Sequence, residues 1–281
     1  MSSVNIPRIV HFVFGLRPQT EPFHLLHYLA LESCRRVLRP ERIYFHCAAL
    51  PYGSYWDLIR PALTLMPVTP ARDVLEADYS RGFVPEAYRY AHHADVIRLD
   101  ALIEHGGIYA DIDTIFLRPL PADLYRHPFV IGEEGMVRDE ITGDWRPSLC
   151  NAFMMARPSA PYAIAWRERL ASALNGSWSN HSCLLAQRLS EECPQDVHVE
   201  PQASFFPVVC APDDVRRLLE RNDLDLSASY TMHLWAHVWW DEWRHDFSTR
   251  HAGHFTADDI RRVDTTLNRV LRAYLPHIEV W

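Results

Sequence analysis

Residues 88–120 read YRYAHHADVIRLDALIEHGGIYADIDTIFLRPL, and the order of features in this stretch decides the fold. Ala91, Ala94, Val96, Ile97 and Leu102 supply the apolar face of a helix predicted over residues 85–105. That helix must stop at Gly106-Gly107, where the missing side chains permit the positive backbone angles of a C-cap. A strand begins at once with Ile108-Tyr109-Ala110 and ends on Asp111 and Asp113, after which residues 115–117 continue extended as far as Pro119. Helix, glycine turn, strand and acidic pair form a unit of an α/β protein that holds its ligand at the carboxyl ends of strands.

Working outward, residues 8–14 (RIVHFVF) read as a first buried strand entered from Pro7 and closed by Gly15. Phe23, Leu26, Leu29, Ala30 and Val37 recur at helical spacing over residues 22–38, and residues 42–48 (RIYFHCA) give a second strand. A proline-marked stretch follows, with Trp56 on a short helix. Beyond the acidic pair, short strands are predicted at residues 129–132 and 150–156, helices at 161–174, 181–191 and 213–220, and a final helix over 257–274. Residues 229–243 are unusually aromatic. Alternating strands and helices favour a mixed or largely parallel sheet.

With 281 residues, 48% of them hydrophobic, the chain is long enough for one large domain with its own core. The expected division is a single domain, 1–281, with a donor-binding half over 1–120 and an acceptor-side half over 121–281. A formal charge of −8 argues against a nucleic-acid partner, which selects for a basic face. Six cysteines without a C-x-x-C pair read as reduced core thiols. The opening apolar run is far shorter than the ~20 residues of a membrane span. The expectation is therefore a protein without a membrane span, cytoplasmic, with leaderless secretion left open.

The chemistry rests on Asp111-Ile112-Asp113. If the segment is extended, both carboxylates project from one side. Two carboxylates inside an apolar run must be paired, metal-bound or expensively desolvated, and paired oxygens suit a hard cation such as Mn2+ or Mg2+. Such a cation neutralises charge that develops on a departing diphosphate.

The block from Ala94-Asp95-Val96-Ile97-Arg98 through Gly106-Gly107-Ile108-Tyr109 and Asp111-Ile112-Asp113 to the exit at residues 117–119 resembles the sugar-binding region of DXD-containing glycosyltransferases. That family includes the initiating mannosyltransferases of yeast and the α-1,4-galactosyl and α-1,4-N-acetylglucosaminyltransferases, and the glucosylating clostridial toxins share the block. The opening Ile6-Pro7-Arg8-Ile9-Val10-His11-Phe12 resembles the family's first strand. The resemblance implies an α/β fold of GT-A type, a Rossmann-like mixed sheet flanked by helices, here with an aromatic-rich C-terminal segment. It implies a retaining enzyme with a nucleotide-sugar donor, UDP-sugars ahead of GDP-mannose, and a glycan, glycolipid or protein acceptor.

On the matched positions, the resemblance makes Asp95, Arg98 and Asp113 the catalytic group. Phe14, Asp95, Arg98, Tyr109, Asp111, Asn151 and Trp235 become substrate-binding residues, and Asp111, Asp113 and His233 the metal ligands. Phe14 stands where the toxins place a base-stacking tryptophan, Asn151 opens a strand like one near the family's sugar site, and His233-Leu-Trp235 resembles a late His-x-Trp of the galactosyltransferases.

Other readings stand beside these. Asp95 and Arg98 form an ordinary helix-surface ion pair, Tyr109 and Phe14 are core aromatics, and His92, His93 and His105 are surface or capping residues. The tryptophans of the aromatic segment divide between core packing and an acceptor rim. Glu133, Glu134, Asp139 and Glu140 make a solvent-facing acidic loop. Rival functions are a non-catalytic nucleotide-sugar or carbohydrate-binding module and a haloacid-dehalogenase-like phosphatase. The phosphatase motif wants Thr or Val where Ile115 stands.

Overall fold

The computed structural model describes residues 5–79, 84 and 86–276. In chain order its elements are β1 Ile9–Val13, α1 Leu25–Leu38, β2 Arg42–Cys47, α2 Ser54–Ile59, β3 Thr64–Pro67, α3 Arg72–Glu76, α4 Arg89–His105 and β4 Gly107–Ala110. There follow β5 Thr114–Phe116, β6 Phe129–Arg138, β7 Trp145–Ala156, α5 Pro161–Ala173, α6 Cys183–Glu192, β8 His198–Glu200 and α7 Gln202–Phe205. The chain ends with α8 Pro212–Glu220, β9 Thr231–His233, α9 Ala257–Arg262 and α10 Thr266–Leu271.

Seven strands form one sheet in the order β3-β2-β1-β4-β7-β6-β8. β1 pairs in parallel with β2 and β4, and β2 with β3, whereas β7 runs antiparallel to both β4 and β6. This is the mixed α/β sheet expected. Alternation along β1 sends Val10 and Phe12 into a core shared with Leu26 and Leu29 of α1, and Val13 into a second core with Ile97 and Leu99 of α4 and Trp166 of α5. Both faces are covered, which is why IVHFV reads as a continuous apolar run. His11, the polar exception, is buried with Nε2 2.8 Å from the Gly106 carbonyl oxygen. Burial keeps its imidazole neutral, with a pKa lowered to about 4.

The glycine turn carries the local geometry. Gly106 and Gly107 have φ of +63° and +98°, and a Cβ on Gly107 would sit 2.7 Å from the Ile9 carbonyl oxygen. Only a residue without a side chain lets α4 reverse into β4 while β4 lies against β1.

Several boundaries differ from the sequence reading. Pro85, the expected start of the long helix, lies outside the described residues, and α4 proper begins at Arg89. The edge strand β3 and the short α3 were not foreseen, being brief segments among prolines. β6 and β7 extend well past the predicted 129–132 and 150–156, pairing as a hairpin from Phe129↔Ala156 to Arg138↔Trp145. The predicted final helix is two helices. Thr265 takes extended angles and its side chain accepts from Asn268 N, so it caps α10 and ends the run from α9. All six cysteines are free, as expected. Among the described residues no helix is long and apolar enough to cross a membrane.

Candidate active site

Phe14 and Asp111 follow the carboxyl ends of the neighbouring parallel strands β1 and β4, where the sheet turns from parallel to antiparallel pairing. Ligands of open α/β sheets collect at such a position. The acidic segment is not extended, as the sequence reading supposed. Asp111 N donates to the Ala152 carbonyl and Thr114 N to the Asp111 carbonyl (2.9 Å), closing a tight turn that still leaves the two carboxylates together. Beyond the turn, β5 leaves the main sheet and pairs antiparallel with β9, Thr114 opposite His233. That ladder delivers His233 to the site, its Nε2 3.0 Å from Asp113 Oδ1 and 3.7 Å from Asp111 Oδ2.

One potential ligand atom from each of Asp111, Asp113 and His233 lies within 4.8 Å of the others. The other Asp113 oxygen, Oδ2, accepts from Ala236 N at 2.8 Å, which fixes the carboxylate. Burial alone would raise the Asp113 carboxyl, but His233 and the Ala236 N–H hold it well below the usual range. Asp111 is raised by burial despite Arg98 and His233. His233 would be depressed by burial, yet the carboxylates of Asp113 and Asp111 outweigh that and leave it raised. Arg98 faces the carboxylates of Asp95 and Asp111 while Asp113 faces His233, and two closely set carboxylates with an imidazole make a donor set for a divalent cation. The donor set fits Mn2+ or Mg2+.

On the adjoining side, α4 presents Asp95 and Arg98 one turn apart, both buried. They are not a helix-surface pair. Arg98 lies 3.1 Å from Asp95 Oδ1 and 3.4 Å from Asp111 Oδ1, donates to the Asn151 carbonyl at 2.7 Å, and stacks over the Tyr109 ring at 4.5 Å. Asn151 Nδ2 donates to Asp95 Oδ1 at 2.7 Å and His181 Nε2 lies 2.8 Å from Asp95 Oδ2. Burial would raise the Asp95 carboxyl, but Arg98 and then His181 bring it down to about 2, so it is an anion at neutral pH. Tyr109 is both core and site: fully buried in its ring, it donates its hydroxyl to Asp111 Oδ1 at 2.6 Å.

The nine residues given catalytic, substrate-binding or metal roles from the sequence all line one cavity of about 530 Å³. Phe14 forms part of its wall and packs against Phe23, His27 and Phe45. Trp235 borders the cavity, but its indole N–H is committed to the Val208 carbonyl at 3.1 Å. The aromatic segment is mixed in burial: Trp239 is fully buried, Trp240 stacks on His27 at 4.7 Å, and Trp243 is 67% exposed at the cavity rim.

A family model described as "Glycosyltransferase sugar-binding region containing DXD motif" matches residues 65–132. Glucan organizing enzyme 1 of Cryptococcus neoformans var. grubii is 31% identical over 279 residues, covering 96% of this chain and 71% of that protein. The chain belongs to the DXD-motif glycosyltransferase family. Solved structures similar to it include the galactosyltransferase LgtC with donor and acceptor sugar analogs (12% identity, 96% of this chain and 98% of that one, TM-score 0.47). Another is the glycosyltransferase GlyE of Streptococcus pneumoniae TIGR4 (13% identity, 96% and 60%, TM-score 0.47). Membership favours transfer over the phosphatase alternative.

In this glycosyltransferase several cavity residues escaped the sequence reading. Glu134 was placed in a solvent-facing loop, but the extended β6 turns it into the cavity, where Ser148 Oγ donates to it at 3.0 Å and burial raises its pKa. His92 was taken for a surface or capping residue, yet it is 1% exposed, while the half-buried His93 accepts from Ala71 N. His181, fully buried against Asp95, carries no local signal beyond its position just before α6.

Proposed function

We propose that the chain transfers a sugar from a nucleotide-sugar donor, a UDP-sugar first, to a hydroxyl of a glycan, glycolipid or protein acceptor, with retention of anomeric configuration. The observation that carries this reading is the convergence of Asp111, Asp113 and His233 beside the buried Asp95–Arg98–Asn151 cluster in one cavity. Asp111, Asp113 and His233 would hold Mn2+ or Mg2+, which when bound would offset the charge on the leaving diphosphate. Phe14 offers an aromatic face to the base. Asp95, Arg98 and Asn151 fix the sugar, Tyr109 orients Asp111, and Trp235 closes the wall. Asp95 has both oxygens engaged, by Asn151, Arg98 and His181, which suits a fixed binding group better than a nucleophile that must advance on carbon. Front-face substitution, with the acceptor entering on the side the diphosphate leaves, follows from that. The site draws Asp95 to Asp113 from the first half and Asn151 and His233 from the second, which supports one domain over 1–281.

The test needs no acceptor. Thermal stability is measured with Mn2+ and a panel of nucleotide sugars and nucleoside diphosphates, for the parent chain and Asp113→Asn. A ligand at one hundred times its Kd adds about 2.7 kcal/mol to the folded state. A metal-dependent rise with one nucleotide class, absent in Asp113→Asn, is expected. Equal shifts in the variant, or no shift with any donor, would refute the assignment.

A further inference from the structure

A carboxylate offers about four lone-pair directions over its two oxygens. At Asp95, Oδ1 faces Asn151 Nδ2 at 2.7 Å and the Arg98 guanidinium at 3.1 Å, while Oδ2 faces His181 Nε2 at 2.8 Å. One direction stays open, on Oδ2. The group that decides which one is His181, whose backbone carbonyl is itself pinned by the Trp166 indole N–H at 3.0 Å.

Behind His181 stands a second histidine. The rings of His92 and His181 have centroids 4.3 Å apart and meet edge to face at 69°. The Tyr79 hydroxyl lies 2.7 Å from His92 Nδ1. Among the described residues, two buried nitrogens of this group, His92 Nε2 and His181 Nδ1, have no hydrogen-bond partner. Burial holds the His92 imidazole neutral and the Tyr79 phenol protonated. With Tyr79 donating to His92 Nδ1, the His92 proton resides on Nε2. The two rings thus meet by edge-to-face packing, and that contact, with the Tyr79 bond behind it, holds His181 in place against Asp95.

We propose that His181, braced from behind by the Tyr79–His92 pair, is the positioning residue of Asp95 and leaves one lone-pair direction of Oδ2 for a single hydroxyl of the donor sugar. This deepens the donor-site reading above and rests on it. His181 acts through Asp95, so it governs recognition of the sugar and not of the nucleoside diphosphate, which the reading assigns to Asp111, Asp113 and His233.

Titration calorimetry with Mn2+ measures Kd for UDP and for UDP-glucose, UDP-galactose and UDP-N-acetylglucosamine, and the readout is the ratio of each sugar nucleotide to UDP. His181→Leu shifts that ratio about tenfold against the preferred sugar nucleotide, as expected for a lost charge-assisted bond, and leaves UDP within about twofold. His181→Gln, which keeps an N–H for Asp95, restores most of the ratio. Tyr79→Phe, a mild change at the far end, shifts it in the same direction by less, and with His181→Gln it decides the matter should His181→Leu not fold. An unchanged ratio in His181→Leu and Tyr79→Phe, or an equal loss of UDP and sugar nucleotide, overturns this role of His181 while the donor reading survives. A parent chain that binds neither UDP nor its sugars overturns both.

Discussion

Replacing Arg98 by methionine removes a buried cation that serves two buried carboxylates at once. The guanidinium lies 3.1 Å from Asp95 and 3.4 Å from Asp111 with 6% of its side chain exposed, so no water takes its place. Breaking a buried pair from one side costs about 3–5 kcal/mol, because a desolvated charge stays behind. For a chain of this length that corresponds to a fall in Tm of roughly 6–20 °C. The pH dependence gives a sharper check. In the parent chain the Asp95 carboxyl is held at about 2 against an ordinary 3.8. A depressed carboxyl contributes stability that is complete above its unfolded value and lost as pH falls through its folded one, here about 2 kcal/mol lost between about pH 4 and pH 2. In Arg98→Met the sign reverses. Burial is the largest influence on Asp95 and Arg98 the main opposing one, so the folded pKa rises and the variant gains stability as pH falls from 7 toward 4. Urea unfolding followed by tryptophan fluorescence at pH 7, 5.5 and 4 should show a gap that is widest at pH 7 and narrows with acidification. A variant within about 1 kcal/mol of the parent at pH 7, or a gap that stays constant, would refute the reasoning.

Manganese affinity should fall as pH drops, because His233 must shed a proton to act as a ligand and its neighbouring carboxylates hold that proton above 6.5. Calorimetry at pH 8, 7 and 6 should show weakening toward pH 6, up to about tenfold per unit, and a flat profile would remove His233 from the ligand set. Gly107→Ala forces a Cβ to 2.7 Å from the Ile9 carbonyl oxygen at φ +98°. It should cost roughly 2–4 kcal/mol in urea unfolding, and a neutral result would mean that β1 and β4 separate more easily than their packing implies.

The sequence announced the central unit because its signals are local. The apolar spacing of α4, the glycine pair and the Asp111–Asp113 pair lie within a few turns of chain, and each is dictated by backbone sterics or by the cost of burying charge. Asp95 and Arg98 needed only the helical repeat to be placed on one face. His233 was reached through resemblance alone, since nothing near it in sequence implies a carboxylate partner. The β5–β9 ladder supplies that partner, and ladder pairing joins segments of any separation.

Where local signals misled, a tertiary contact had overruled them. Glu134 looked like part of a charged loop, but cross-strand bonding between β6 and β7 continues past it and turns it inward. The Asp111–Asp113 segment alternates like a strand, yet the bond from Thr114 N to the Asp111 carbonyl bends it into a turn. Residues 257–274 carry one helical pattern, and the Thr265 cap divides it. Composition and periodicity by themselves determined an α/β chain with an acidic site at a strand end, because those properties follow from short-range sterics and solvation. Only the tertiary structure decided that Asp95 would be held by Arg98, Asn151 and His181 together, and that Tyr79 and His92 would stand behind it. Hydrogen bonds at 2.7–3.1 Å are settled by where four separate segments pack, and no single stretch of chain encodes that packing.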